Sequence, residues 1–247
     1  MKKVIVNNTA IETLDFCTKE TGIDTKKIMN SLSYYFYMFI KKFSDIILGL
    51  IGLIFLIPLA VIVKVLYLLT GDKDPIFFTQ DRIGTNGKEF KFYKFRTMHV
   101  GADEELERLL KKNKKLAKEY KINKKIKDDP RITKVGKFLR NASLDEFPQF
   151  INVLKGDMSI IGNRPYLPRE KEDMGDYFYD VTRTKCGIIS YWAVNGRNSV
   201  SFETRLKMEQ YYSENRSLIF DIKILIKAFF LVVFKKRIGR IYNAETQ

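Results

Sequence analysis

The chain reads as an α+β protein, mostly helical. A small cytosolic domain carrying a β-hairpin is expected to be anchored by a re-entrant membrane helix and by amphipathic helices lying in the membrane interface. Three observations predict this. From Ile46 to Val63, 18 consecutive residues are uncharged and almost wholly apolar. The stretch "EFKFYKF" alternates directly after the turn "GTNG", as one arm of a hairpin does. The segments after it read as helices separated by turn residues.

Taken in order, residues 1–33 are mixed and polar, with no apolar stretch behind a basic start. They are read as a short N-terminal extension without a cleavable signal. Residues 34–70 form the membrane segment. Eighteen residues at the helical rise span roughly 27 Å, close to the thickness of a bilayer core. The run is apolar all round, which argues against an ordinary buried helix of a soluble domain. Pro58 sits two-thirds of the way along it and must bend the helix. Lys41 and Lys42 flank one end, and Lys64 interrupts the other. A straight span would leave cationic protein on both faces of the membrane. A helix that enters, breaks at Pro58 and returns keeps both flanks in the cytosol.

Residues 71–247 form the cytosolic domain. After the hairpin, residues 103–127 begin acidic and end in a lysine run, the charge order that a helix dipole prefers. Those lysines form either a solvated face or a contact with anionic lipid headgroups. "DDPRITKVGKFLRNASLDEFPQFINVLKGDMSIIG" reads as turn, short helix and second helix, with Ser143 and Glu146 spaced as a capping box. "SLIFDIKILIKAFFLVVFKKR" is apolar but broken by Asp221, Lys223 and Lys227, so it is a core helix or one in the interface.

Composition narrows the partners. Lys and Arg total 44 against 29 Asp and Glu, a net charge of +15, which favours an anionic partner. Nucleic acid is disfavoured, because no basic module with interleaved aromatics is found and the apolar run is out of place there. The two cysteines have no metal or redox spacing, and a lone His99 excludes a histidine-based zinc site.

Against this cationic background, Asp145 and Glu146 stand side by side. As a structural pair they would be a capping glutamate and a first-turn acid. Arg131, Lys137, Arg140, Arg164 and Arg197 lie in Gly-, Pro- or Asn-rich surroundings, and the planar guanidinium fork suits phosphate. With arginines and a divalent metal neutralising a phosphorylated substrate, a carboxylate can approach phosphorus as a nucleophile.

"FFTQDRIGTNGKEFKFYKFRTM", "DPRITKVGKFLRNASLDEFPQFINVLKGDMSIIGNRP" and "VNGRN" together resemble the bacterial sugar transferases, monotopic phosphoglycosyl transferases acting on undecaprenyl phosphate. The resemblance runs over roughly residues 36–235. It implies transfer of a sugar 1-phosphate from a UDP-sugar to undecaprenyl phosphate, with Mg2+, through a phosphosugar–aspartate intermediate. It places the reaction at the cytoplasmic face of the bacterial inner membrane, at the start of glycoconjugate synthesis, beside anionic inner-membrane lipids; a homodimer is compatible with it. It makes Asp145 the nucleophile and Glu146 its partner, both near the metal. Arg140, Arg164 and Arg197 become phosphate-binding residues, with Arg96, Arg131 and Asn195 as further substrate-binding candidates. Pro58 becomes the membrane break.

The chain departs from the family pattern at Ile57 where a serine is common, and at Asn163 in "GNRP", where proline is usual. It departs again in "KCGIISYWAVNGRN", with Cys186 for proline and the aromatic displaced to Tyr191 and Trp192. Asn163 is expected to loosen the loop of Arg164, and the identity of the sugar stays open. A membrane scaffold with a decayed site is the competing expectation.

Overall fold

This computed structural model describes residues 25–123, 126, 129–196 and 200–244, with side chains described for 32–118, 120–121, 126, 129–196 and 200–231. The chain divides into two units, Met1–Phe43 and Ser44–Gln247. Helix α1 (Thr25–Leu69) begins in the first. There it exposes Leu32, Tyr34, Tyr35, Phe36 and Phe39, and the rings of Phe39 and Phe43 stack. Helix therefore starts upstream of the boundary expected at residue 34.

In the second unit α1 stays helical through Pro58, the position at which a kink was expected. Packing holds both sides of the proline. Leu53 and Leu56 before the proline, and Leu59, Ala60 and Val63 after it, all join one core cluster with Phe95, Val135 and Leu139. That shared face ties the turns on both sides of Pro58 to the same core, although the proline cannot donate its hydrogen bond. Gly49 and Gly52 lie on the same side. A Cβ there would come within 2.8 Å of Leu154 and 2.2 Å of Phe150. At one end of this stretch, Asp45 accepts hydrogen bonds from Ser159 Oγ (2.9 Å) and Ile160 N (2.8 Å). At the other, the Tyr67 hydroxyl donates to the Arg96 carbonyl. Ile54, Phe55, Ile57, Val61 and Ile62 remain exposed on the opposite side. The described residues include one helix long and apolar enough to cross a membrane, Leu32–Leu69.

The hairpin forms as expected. Strands β1 (Phe77–Ile83) and β2 (Glu89–Phe95) pair antiparallel, from Phe77 opposite Phe95 to Ile83 opposite Glu89. Asn86 (φ 56°) and Gly87 (φ 78°) take the left-handed backbone that reverses the chain. The segment after it is two helices, α2 (Ala102–Lys112) and α3 (Lys114–Asn123). Asn113 separates them, because its side-chain oxygen accepts from the N–H groups of Lys115 and Leu116 and starts the second helix. Lys111, Lys112, Lys114, Lys115, Lys118 and Lys121 are exposed, and Lys124, Lys125 and Lys127 lie outside the described residues.

Next come α4 (Lys134–Ala142), a three-residue 3₁₀ turn (Leu144–Glu146) and α5 (Gln149–Lys155). Strand β3 (Met158–Ile161) then pairs in parallel with β4 (Cys186–Ile189), a sheet that the sequence did not suggest. Helices α6 (Lys171–Met174) and α7 (Tyr177–Thr182) lie in the crossover between them. Gly162 and Gly187 permit this pairing, since a Cβ on Gly187 would stand 2.0 Å from the Gly162 nitrogen.

The chain continues as α8 (Tyr191–Asn195), α9 (Phe202–Asn215) and α10 (Leu218–Ala244). The core reading of the last helix holds for one side of it. Ile224, Phe220, Ala228 and Leu231 pack on the core, while Ile219, Leu225, Ile226, Phe229 and Phe230 are exposed. Its Asp221 is buried and accepts from the Tyr212 hydroxyl at 2.7 Å.

Candidate active site

Helix α4 sets the site. Thr133 caps it, its hydroxyl accepting from Gly136 N at 2.8 Å. Gly136 lets the helix press against residue 97, and one turn on Arg140 Nε donates to Thr97 Oγ1 at 2.9 Å. Ser143 then ends the helix with φ 57°. Left-handed backbone is uncommon for serine and redirects the chain sharply. The capping box expected of Ser143 and Glu146 is consequently absent. Ser143 closes one helix, its side chain makes no capping bond to the next turn, and α5 starts only after Pro148. Asp145 and Glu146 occupy a half-buried turn of their own.

That turn adjoins a cationic wall. Arg140 and Lys94 are both electrostatic neighbours of Asp145, and both line a cavity of about 680 Å³. Part of the wall is one face of the hairpin, where Phe78, Gln80, Arg82 and Lys94 share a side. Burial, reinforced by Arg82 and Arg140 and opposed by Asp145, pushes Lys94 down to about 8. Burial likewise lowers Arg140, with Asp145 offsetting it. A cavity that depresses its own cations is one that an anion would stabilise.

At a further part of the wall stand Arg164 and Arg205. The Arg164 N–H donates to Glu209 Oε2 at 3.0 Å. Glu209 is wholly buried, and desolvation raises it to about 7 against the opposing pull of Arg164 and Arg205. Asn163 does not loosen this loop as expected. Its amide donates to the Val181 carbonyl (2.8 Å) and to Ser213 Oγ (2.7 Å), pinning the loop from inside. Cys186, in place of proline, is buried, and its thiol donates to the Ile83 carbonyl. Burial pushes it up to about 12, so it is a structural thiol and not a reactive one.

The other candidates fall out differently. Arg96 is committed internally, with both terminal nitrogens on Asp72 (2.8 and 3.0 Å) and Nε on the Pro75 carbonyl. Arg131 forms a similar fork with Asp129 (2.6 and 2.8 Å) and also donates to the Ala102 carbonyl. Both border the cavity, but the fork that was assigned to substrate is occupied by a carboxylate. Both guanidinium groups are tied to the fold around the cavity. Asn195 is exposed and joins α8 to α10, donating to the Tyr191 carbonyl and accepting from Lys227 Nζ at 2.6 Å. Lys137 is on the exposed side of α4. Arg197 lies outside the described residues.

Sequence reasoning missed Lys94, Arg82, Arg205 and Glu209. Lys94 left a signal, because it interrupts the apolar side that Phe90 and Phe92 define on β2. Arg205 and Glu209 left none, since a helix with several charges normally presents them to solvent.

The family whose model matches residues 36–235 is described as bacterial sugar transferase. The chain belongs to this family. Among relatives of this bacterial sugar transferase, the undecaprenyl-phosphate galactose phosphotransferase of Salmonella typhimurium is 39% identical over 201 residues, 81% of this chain and 42% of the relative. Exopolysaccharide production protein ExoY of Sinorhizobium fredii is 40% identical over 189 residues, 76% of this chain and 82% of the relative. The UDP-glucose:undecaprenyl-phosphate glucose-1-phosphate transferase of Escherichia coli is 33% identical over 204 residues, 79% and 40% of the two chains. The chain thus spans less than half the length of the Salmonella and Escherichia relatives.

Proposed function

We propose that this bacterial sugar transferase moves a sugar 1-phosphate from a UDP-sugar to undecaprenyl phosphate at the cytoplasmic face of the inner membrane, initiating glycoconjugate synthesis. The observation that carries the reading is the placement of Asp145 on a separate turn beside Lys94 and Arg140, two cations that line a cavity together with Arg82, Arg164 and Arg205. In the first half-reaction an Asp145 carboxylate oxygen attacks the sugar-bearing phosphorus. A new O–P bond forms, the P–O bond to the nucleotide breaks, and UMP leaves. In the second, a phosphate oxygen of undecaprenyl phosphate attacks the same phosphorus and releases Asp145. The cavity cations offset the charge that would otherwise repel the carboxylate.

Magnesium fits the donor set. Among the described residues no group of three or more His, Cys, Asp or Glu forms a cage, but Mg2+ is commonly held by one or two carboxylates with substrate phosphates and water. Asp145 and Glu146 would supply those carboxylates. When bound, the ion would neutralise charge on the phosphates. Full-length protein in detergent, given radiolabelled UDP-sugars with undecaprenyl phosphate, is expected to move label into the lipid and release UMP. The sugar giving the fastest release identifies the donor. No label transfer and no UMP with any UDP-sugar would overturn the proposal.

A monotopic, re-entrant attachment belongs to the same reading. It is supported by the fastening of α1 to one domain at both Asp45 and Tyr67, and by the exposed apolar sides of α1 and α10. Single cysteines placed at Phe36 and at Lys73 should both escape a membrane-impermeant thiol reagent applied outside intact cells. Labelling at one position alone would indicate a true span.

A further inference from the structure

We infer that Arg205, held against Trp192, is a phosphate-binding residue acting as a pair with Arg164, and that Trp192 is the residue that positions the pair. The inference rests on the phosphate-transfer reading above and adds residues that neither the motifs nor the family resemblance supplied.

Arg205 is 5% exposed, yet it lines the cavity. Its Nε is buried without a hydrogen-bond partner, and no hydrogen bond or ion pair holds its guanidinium among the described residues. The contrast with Arg96 and Arg131 is direct, since each of those is closed by a carboxylate fork. Glu170 and Glu209 act on Arg205 electrostatically, but a buried guanidinium with no hydrogen-bonded carboxylate is costly unless another group satisfies its donors. Aromatic faces supply part of that. Arg205 Cζ lies 4.4 Å from the Trp192 ring centre and 5.5 Å from that of Phe202. Arg164 Cζ lies 5.3 Å from the same indole. Stacking orients a guanidinium but leaves its N–H donors unused, and those donors match phosphate oxygens.

The two arginines are also fixed to one another. Glu209, one turn along α9 from Arg205, accepts the Arg164 backbone N–H, so helix and loop move as one. Burial, followed by the charge of Arg164, holds the Arg205 guanidinium below its usual range. Glu209 offsets part of the repulsion between these two charges, and a phosphate between them would offset more. Trp192 belongs to "KCGIISYWAVNGRN", the segment in which this chain departs from the family pattern described above.

The phosphate could come from the nucleotide donor or from the lipid acceptor, and the test separates the two. UDP would be titrated into full-length protein in detergent with magnesium, and KM would be measured for each substrate. Donor binding predicts that Arg205→Ala weakens UDP and raises the donor KM roughly tenfold to a hundredfold. Acceptor binding predicts unchanged UDP affinity and a comparable rise in KM for undecaprenyl phosphate. Either result supports the assignment. Trp192→Leu should reproduce the same selective effect, and the Trp192→Leu/Arg205→Ala double variant should be no worse than Arg205→Ala alone. Arg205→Lys, which keeps the charge without the fork, should recover affinity only in part. It carries the test if the alanine variant fails to fold. Unchanged UDP affinity and unchanged KM for both substrates in a folded Arg205 variant would overturn the inference, as would additive losses in the double variant. If the wild type transfers no label at all, the functional proposal fails separately. In that case loss of inorganic pyrophosphate binding in Arg205→Ala would uphold the site, and undiminished binding would refute it.

Discussion

Asp145→Asn is expected to abolish sugar-phosphate transfer, with turnover falling by several orders of magnitude, the usual result of deleting a covalent nucleophile. Asparagine keeps the shape of the side chain and removes its charge. Because Asp145 is half-buried on a short turn and not in the core, the melting temperature should barely move; substitutions away from packed features typically cost within about 0.5 kcal/mol. Two further effects accompany the loss. Lys94 and Arg140 both lose a carboxylate that favours their charged forms, but an incoming phosphate also loses the like charge that repels it, which is the larger effect at close range. UDP should bind Asp145→Asn at least as tightly as the wild type while turnover disappears. A variant that retained near-normal turnover would return Asp145 to an ordinary structural role.

The second large effect is expected from Gly136→Ala, a substitution that touches no substrate. Helix propensity alone would favour alanine by about 1 kcal/mol. Packing decides otherwise. A Cβ at this position would lie 2.0 Å from the Thr97 carbonyl oxygen and 2.6 Å from two further backbone atoms of the same residue. Backbone cannot swing aside as a flexible side chain does, so α4 must move. Overpacking of this kind costs about 1–3 kcal/mol, sometimes more. In a domain of this size that corresponds to several degrees in Tm. The shift also breaks the Arg140 Nε to Thr97 Oγ1 bond and displaces the turn that carries Asp145, so transfer should fall further than the change in stability explains. Lys137→Ala, on the exposed side of the same helix, is the control and should leave both melting and activity near wild type. Equal effects from the two substitutions would refute this account of α4.

Much of the architecture was legible. Alternation in "EFKFYKF" and the turn before it gave the hairpin, and the apolar run gave the long helix. The local errors share a cause. The spacing of Ser143 and Glu146 fits a capping box, but Ser143 adopts left-handed backbone as α4 ends, and backbone geometry of that kind is not written in residue spacing. Arg96 and Arg131 looked available for phosphate because their carboxylate partners are fixed by the fold. Asp72 reaches Arg96 from across the hairpin, although Asp129 stands only two residues before Arg131 and could have been recognised. Asn163 looked like a loss of rigidity, yet its partners are Val181 and Ser213, distant in sequence. The parallel pairing of β3 with β4 depends on two glycines meeting across a crossover of more than 20 residues, and short buried strands carry little period of their own.

The central claim is that Asp145 carries the sugar phosphate between donor and acceptor, and intact-protein mass spectrometry tests it most directly. Full-length protein mixed with UDP-sugar and magnesium, without undecaprenyl phosphate, should gain the mass of one sugar phosphate as UMP is released. Peptide mapping should place that mass on Asp145. Asp145→Asn should show no adduct, Arg140 and Arg164 variants should form it slowly, and adding undecaprenyl phosphate should discharge it. Release of UMP only when the lipid acceptor is present, with no adduct on the protein or with one on a different residue, would contradict the account.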